Sequence, residues 1–230
     1  DILTSALYTC NFPLQDLERH VRCYEVQQAL RAILSERGWV AFIADGSVLP
    51  RESGGSVKPL AGAIPFVSPP QNRVSLNVLG ENITGMPIPH GVTVIAGGAY
   101  HGKSTLLAAI ERGIYDHVPG DGRERVVALR KTVKIAVEEG RRVNGTDISP
   151  LFREFPGKNV EAFHTSTASG STSQVANLVE ALACGASVLL IDEDASAVNF
   201  LVRDARMRML VKDEQEPLIP LIQRIPELKK

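Results

Sequence analysis

The sequence has almost no net charge, because 25 lysines and arginines stand against 26 aspartates and glutamates. A chain with this balance has no overall field to draw it to a nucleic acid or a membrane surface. Any such partner would need a local patch of charge. The sequence also lacks an apolar run of the roughly 18 to 20 residues needed to cross a bilayer. We therefore expect no membrane-spanning segment.

Cysteine is scarce as well. Cys10, Cys23 and Cys184 are odd in number and form no C-x-x-C pair. A disulfide framework or a zinc site is not expected, and this use of cysteine suits a reducing intracellular compartment. The chain opens on DILT, which lacks a methionine and the charged-then-apolar order of a signal peptide. We expect the sequence to be a fragment, ending abruptly at Lys230 as well.

With 230 residues, the chain is long enough to bury a substantial core. Apolar residues recur at helical spacing over residues 14–36, Gly38 is a plausible stop, and residues 39–44 predict a buried strand. Residues 45–73 are rich in glycine, proline and serine, so they predict a long irregular connection.

Strands and helices alternate along the rest of the chain, which predicts an α/β core. Strands are predicted over residues 74–79, 91–96 and 188–191, helices after residue 105 and over 174–182, and a hairpin-like insertion over 125–148.

One motif carries most of the chemistry: GGAYHGKST at residues 97–105 satisfies G-x-x-x-x-G-K-[ST] in full. Glycines let the backbone turn so that consecutive N–H groups bind phosphate oxygens, and the following helix adds the positive end of its dipole. We expect Lys103 to reach the β- and γ-phosphates of ATP and the Ser104 hydroxyl to ligate Mg²⁺. The residues assigned to the nucleotide are Gly97, Gly98, Ala99, Tyr100, His101, Gly102, Lys103, Ser104 and Thr105.

The alternative for this motif is a glycine-rich turn that matches by accident. It is disfavoured because a predicted strand precedes the loop and a predicted helix follows it, in the order that a phosphate loop requires.

A second candidate site, made of two acidic residues, follows the apolar strand predicted over residues 188–191. Asp192 and Glu193 would lie at the carboxyl edge of the sheet, beside the phosphate loop. We expect Asp192 to hold Mg²⁺ through water. Glu193 would orient or deprotonate the attacking water, a role worth roughly 10²–10⁴-fold in rate. The alternative is a solvated acidic turn.

Residues 168–174, ASGSTSQ, open an amphipathic helix that leads into the strand before Asp192. This turn resembles the signature of ABC-class ATPases, in which one subunit's signature turn closes on the γ-phosphate held by the other. Residues 192–199 resemble the D-loop at the same dimer interface. The resemblance implies a homodimer and a catalytic role in trans for Ser169, Gly170 and Ser171.

The chain departs from the ABC pattern at several positions. Ala168 stands where leucine is usual, Ser171 where a second glycine is usual, and Asn199 where the D-loop has aspartate. No glutamine is placed as a Q-loop, whose position residues 147–150 would occupy. The switch histidine would lie beyond Lys230.

Further strings, among them FIADGS at residues 42–47 and PGDGR at 119–123, complete the resemblance. Together the motifs resemble the predicted ABC-class ATPases of poorly defined function found in bacteria and some eukaryotes. That family includes a kinetoplastid mitochondrial member associated with guide-RNA-directed RNA editing.

The resemblance implies a P-loop NTPase of α/β class, with an N-terminal lobe and linker over residues 1–60 and an ABC core over 61–230. It further implies ATP and Mg²⁺ as cofactors, a truncated C-terminal lobe and an ATP-dependent homodimer whose central pore holds RNA. If the editing branch applies, the partners include RNA-editing proteins and the location is mitochondrial. Otherwise the location is cytoplasmic.

Two clusters of basic residues leave alternatives open. The first is either a solvated hairpin face or a rim that contacts nucleic-acid phosphates. The second, at helical spacing after residue 199, suits a dimer interface or a surface. The first contains Arg123, Arg125, Arg130, Lys131, Lys134, Arg141 and Arg142, and the second Arg203, Arg206, Arg208 and Lys212.

Other functions also stay open. A transporter engine would need a recognisable Q-loop, and a DNA motor would need coiled-coil heptads for which residues 105–168 leave no room. A non-hydrolysing scaffold that binds RNA and uses ATP only to close is the remaining alternative. Glu193 argues for hydrolysis instead.

Overall fold

The computed structural model describes residues 5, 8–154, 157, 159–212 and 215–228; the chain end at Lys230, named above, lies outside them. The chain forms two compact units, an N-terminal unit (Asp1–Arg130) and a C-terminal unit (Lys131–Lys230). Each has a hydrophobic core of its own. A boundary near residue 60, between a lobe and the core, stays a prediction.

The helices of the described residues are α1 (Leu14–Arg37), α2 (Lys103–Arg112), α3 (Gly170–Ala183), α4 (Ala205–Leu210) and α5 (Leu221–Leu228). The strands are β1 (Trp39–Ala44), β2 (Val74–Val78), β3 (Glu81–Pro89), β4 (Val126–Ala128), β5 (Thr132–Ile135), β6 (Val143–Thr146), β7 (Phe163–Thr165) and β8 (Val188–Ile191). No helix in the described part of the chain is long and apolar enough to cross a bilayer.

Helix α1 ends where the sequence predicts. Gly38 adopts φ +66°, and its N–H donates to the carbonyl oxygen of Leu34. Glycine takes this left-handed conformation without the penalty that a Cβ atom brings. Leu30 and Leu34 of the helix are buried in the N-terminal core with Phe42 of β1 and Leu76 of β2. The predicted helix over residues 14–36 and strand over 39–44 are thus confirmed.

The sheet of the N-terminal unit is antiparallel throughout, in the order β2-β3-β1-β4. Ala44 of β1 lies opposite Gly85 of β3. At Gly85 the neighbouring strand approaches so closely that a Cβ atom would lie 2.4 Å from the carbonyl oxygen of Ile43. A glycine inside a strand often marks such a close approach of another backbone.

The C-terminal unit contains the parallel pairing expected of an α/β protein. Strands β5 and β8 run parallel, and the connection between them includes the antiparallel pair β6–β7 and helix α3. Val175 and Leu178 of α3 are fully buried in the same core as Phe200. Because parallel strands share one carboxyl edge, the segments that follow β5 and β8 emerge on the same side.

One predicted strand is absent from the described structure. Residues 91–96 form no strand, and the side chains of Val92 and Val94 are 56% and 81% exposed. Strand β3, which precedes them, already has β2 on one edge and β1 on the other. It therefore offers no free edge to the segment that follows it. The loop at 97–105 is thus followed by the predicted helix but not preceded by the predicted strand.

The predicted hairpin over residues 125–148 is also wrong. Strand β4 pairs with β1 in the N-terminal unit, whereas β5 pairs with β8 in the C-terminal unit. The strand over 188–191 forms as predicted, yet only Leu190 in it is buried. In the described structure β8 has a strand partner on one side alone, β5, so it is less enclosed than an inner strand.

Replacing Gly85 with alanine tests the close approach of β1 and β3. The added methyl would meet backbone atoms of Ile43 and Ala44, which cannot move as a flexible side chain would. We expect the free energy of unfolding to fall by about 1–3 kcal/mol or more. Urea unfolding followed by the fluorescence of Trp39, the single tryptophan, would measure the change.

Gly54→Ala is the matched control, because nothing lies within 4 Å of its Cβ position. We expect it to change stability by less than about 0.5 kcal/mol. Equal unfolding midpoints for the two variants would contradict the packing described for Gly85.

Candidate nucleotide site

The phosphate loop leads directly into helix α2. Gly102 adopts φ +81° before the helix begins at Lys103. The Lys103 ammonium folds back over the loop, and its Nζ donates to the carbonyl oxygens of Gly97 and Gly98 at 2.9 Å each. Ser104 lies in the first helical turn, as a hydroxyl that ligates a phosphate-bound ion must. The structure thus places Lys103 and Ser104 at the start of α2, and their roles toward a nucleotide stay predictions.

Two further side chains give this loop an unusual surface. Tyr100 adopts φ +62°, a conformation that costs a non-glycine residue roughly 1–2 kcal/mol, and its side chain is fully exposed. The His101 ring lies over the loop instead, so that a Cβ atom on Gly98 would stand 3.1 Å from its Cε1. Backbone strain of this kind is characteristic of ligand-binding loops.

Asp192 and Glu193 follow β8, at the carboxyl end of the parallel pair. The Asp192 carbonyl oxygen accepts from Ser196 Oγ at 2.8 Å and from the Ala195 N–H at 3.1 Å. Neither acidic carboxylate has a hydrogen bond or ion pair among the described residues, and Glu193 is exposed. A free carboxylate oxygen can ligate Mg²⁺ or accept a proton from an attacking water, so this residue set fits the predicted ion.

The signature turn forms the N-terminus of α3. Ser169 is the N-cap: its Oγ lies 2.9 Å from Thr172 Oγ1 and accepts from the Thr172 N–H at 3.5 Å. The N–H groups of Gly170 and Ser171 have no acceptor among the described residues. Two free amides at the positive end of a 14-residue helix are the kind of groups that phosphate-binding helix termini use.

Gln174 is a residue to which sequence reasoning assigned no role. It is fully buried, and its side-chain amide bonds Ser196 and Ala197, in the segment that resembles the D-loop. The signature turn and the acidic pair are therefore brought together within the C-terminal unit. The signal was available in the sequence, because Gln174 shares a helical face with Leu178. A polar residue on a buried face is informative.

One residue of the first basic cluster is buried, and three others form ion pairs. Arg123 is only 4% exposed and donates to the Leu49 carbonyl oxygen. Burial, followed by the charge of Arg51, lowers the pKa of Arg123 to about 10, so it stays protonated at neutral pH. Three others form ion pairs: Arg125 with Glu81, Arg130 with Asp116 and Arg141 with Glu180. A basic face made of all seven residues is therefore wrong.

Arg203 also departs from the expectation of an interface or surface residue. It is buried, and its guanidinium donates to the carbonyl oxygens of Met207 and Val211 at the end of α4. The carbonyl groups at the C-terminus of a helix carry partial negative charge, and a cation stabilises them. Arg203 is thus a structural cap.

Substitutions of Ser169 test its role as a cap. We expect Ser169→Ala to lower the free energy of unfolding by about 1 kcal/mol and Ser169→Asp to retain it, because aspartate caps a helix as well as serine does. Urea unfolding would measure both. Ser171→Ala is the control, since the Ser171 side chain makes no hydrogen bond within the described residues. A loss for Ser171→Ala equal to that for Ser169→Ala would refute the capping role.

Comparison with known proteins identifies the family of the chain. The family described as the ABC ATPase P-loop domain matches residues 13–230. An uncharacterized protein of Methanocaldococcus jannaschii is 35% identical in an alignment 188 residues long, which covers 76% of this chain and 42% of that protein. The chain therefore spans less than half the length of that relative. With the family matched over nearly its whole length, the chain belongs to the ABC ATPase P-loop domain family.

Proposed function

We propose that this chain binds Mg·ATP in the loop at residues 97–105 and hydrolyses it slowly. The observation that carries the proposal is the complete loop at the N-terminus of α2, with the Lys103 ammonium held over it by the carbonyls of Gly97 and Gly98. An ammonium beside the backbone N–H groups of such a loop would form an anion site with them. The triphosphate supplies the negative charge that the site lacks.

Hydrolysis is supported by the two acidic residues. Asp192 would hold Mg²⁺ through water, and Ser104 would ligate Mg²⁺ by its hydroxyl. Glu193, exposed and without a described partner, would orient or deprotonate the attacking water. When bound, Mg²⁺ neutralises charge on the β- and γ-phosphates.

The homodimer is supported by the N-terminus of α3. The amides of Gly170 and Ser171 have no described acceptor, and the Ser171 hydroxyl has no described partner. These donors fit the γ-phosphate of an ATP molecule held by a second copy of the chain, beside the helix dipole. Each ATP would thus lie between the phosphate loop of one subunit and the signature turn of the other.

The polymer that the closed dimer holds would be RNA, as the family resemblance implies. Within the described structure, the exposed members of the first cluster without a partner are Lys131 and Arg142. Two cations per subunit support a weak, salt-dependent contact with phosphates. The association with RNA editing and a mitochondrial location stay predictions.

The variant Glu193→Gln tests the nucleotide sandwich. An amide keeps the size of the carboxylate but cannot accept a proton from water, so ATP should remain bound and hold two subunits together. We expect a dimer at saturating Mg·ATP in sedimentation velocity, and turnover reduced by about 10² or more. Asp194→Asn, at the exposed neighbouring carboxylate, should behave like the natural chain.

Lys103→Ala completes this test, because it removes the ammonium that the β- and γ-phosphates require. We expect it to lose nucleotide binding and to stay monomeric. If Glu193→Gln itself stays monomeric at saturating Mg·ATP, the sandwich is wrong.

The contact with RNA predicts a measurable dependence on salt. Neutralising two phosphates per subunit should give a slope of about −1.4 in log K against log salt for single-stranded RNA, or about −2.8 for a dimer. The double variant Lys131→Gln/Arg142→Gln should remove this dependence in a filter-binding assay with Mg·ATP. Lys58→Gln, another exposed lysine, is the control. Equal weak binding of all three proteins to RNA and duplex DNA would remove nucleic acid from the function.

A further inference from the structure

The side-chain amide of Gln174 connects two parts of the C-terminal unit that would serve different ATP molecules. Gln174 is 0% exposed. Its Nε2 donates to Ser196 Oγ at 2.9 Å, and its Oε1 accepts from the Ala197 N–H at 2.8 Å. Both hydrogen-bonding groups of the amide are thus used on the segment after the acidic pair.

The connection continues to the acidic pair itself. Ser196 Oγ donates to the carbonyl oxygen of Asp192 at 2.8 Å, and the Ala195 N–H donates to the same oxygen at 3.1 Å. One hydroxyl therefore separates the Gln174 amide from the backbone of the residue that would hold the ion. Ala195 is fixed in turn, because its carbonyl oxygen accepts from the Val137 N–H beyond β5 at 3.1 Å.

The other end of the connection is the signature turn. Gln174 lies about one helical turn after Gly170 and Ser171, whose amides are free. The same stretch of α3 is held by Ser173, whose Oγ donates to the Gly170 carbonyl oxygen and accepts from the Glu138 N–H. Because α3 is bonded at Ser173 and at Gln174, a displacement of the segment from Asp192 to Ala197 would be transmitted to the amides at the N-terminus of the helix.

Because Gln174 is buried, losing either of its hydrogen bonds would be costly. An amide without access to water has no substitute partner, and breaking one of its bonds leaves a buried donor or acceptor unpaired. The acidic segment and the first turns of α3 are therefore held in one relative position.

We propose that Gln174 is a positioning residue that couples the two ATP sites of the dimer. It ties the acidic pair, which acts on the subunit's own ATP, to the signature turn, which the same subunit presents to its partner's ATP. This inference rests on the proposed function, because the turn serves the partner only if the ATP lies between two copies.

The test uses mixed dimers in which one site hydrolyses ATP. One subunit carries Glu193→Gln, so that it binds ATP and keeps the dimer closed. The other subunit keeps its Glu193, and its ATP meets the signature turn of the Glu193→Gln subunit. Gln174→Met, which has similar length but no amide, is then placed in either subunit. Single-turnover hydrolysis at saturating Mg·ATP reports the one competent site.

We expect Gln174→Met to slow hydrolysis about tenfold or more in either placement, a magnitude typical of a displaced charge-stabilising group. The KM for ATP should change less than about twofold, because the phosphate loop lies in the other unit and is unaltered. Gln174→Glu, which retains an oxygen to accept from the Ala197 N–H, should give an intermediate rate.

Asn177→Ala is the matched control. Asn177 is an amide on the same helix that donates to the Ala136 carbonyl oxygen at 3.0 Å, but it does not reach the acidic segment. We expect little change in rate for this variant. Circular dichroism of each variant would verify that the chain is folded.

The coupling is overturned if Gln174→Met slows hydrolysis only when it shares a subunit with the competent Glu193, or in neither placement. Equal losses for Asn177→Ala and Gln174→Met would also overturn it, since any loosening of α3 would then suffice. A mixed dimer that fails to form, or to hydrolyse ATP before Gln174 is changed, would refute the proposed function itself and the coupling with it.

Discussion

Hydrogen bonds between helix α3 and the loops that follow β5 and β8 hold the functional part of the C-terminal unit together. The two strands are parallel, so both loops emerge at one edge of the sheet. Gln174 bonds the loop after β8, and Asn177 bonds the loop after β5. Without the buried Gln174 amide, the acidic pair and the free amides of the signature turn would not be held in one relative position.

The phosphate loop differs from the C-terminal unit, because its shape depends on backbone conformation more than on buried side chains. Lys103 is held by carbonyl oxygens of the loop it closes, while the backbone of Tyr100 adopts a left-handed conformation. The His101 ring occupies the space left by the missing Cβ of Gly98. A loop whose lysine is held in place before a ligand arrives loses less entropy on binding.

Much of the fold could be predicted from periodicity and turn chemistry. Helix α1, its stop at Gly38 and strand β1 follow from apolar spacing and a left-handed glycine, and the nucleotide motif was complete in the sequence. Strand pairing could not be predicted. The apolar runs of β4 and of residues 91–96 are alike in sequence, and apolar spacing does not indicate which sheet has a free edge for either of them. The burial of Arg123 could not be predicted either. Its hydrogen bond to the distant Leu49 carbonyl oxygen is not visible in the sequence, where an arginine is expected at the surface.

The central claim is that each ATP lies between two copies of the chain, and it is tested most directly by locating the γ-phosphate. A mixed dimer would combine one natural subunit with one Lys103→Ala subunit of different mass, and ATP with a photoreactive group on its γ-phosphate would be added. Mass spectrometry of the irradiated dimer would identify the labelled peptide. The account predicts label on Ser169–Ser171 of the Lys103→Ala subunit, which cannot bind ATP in its own loop. Label confined to the natural subunit would contradict it.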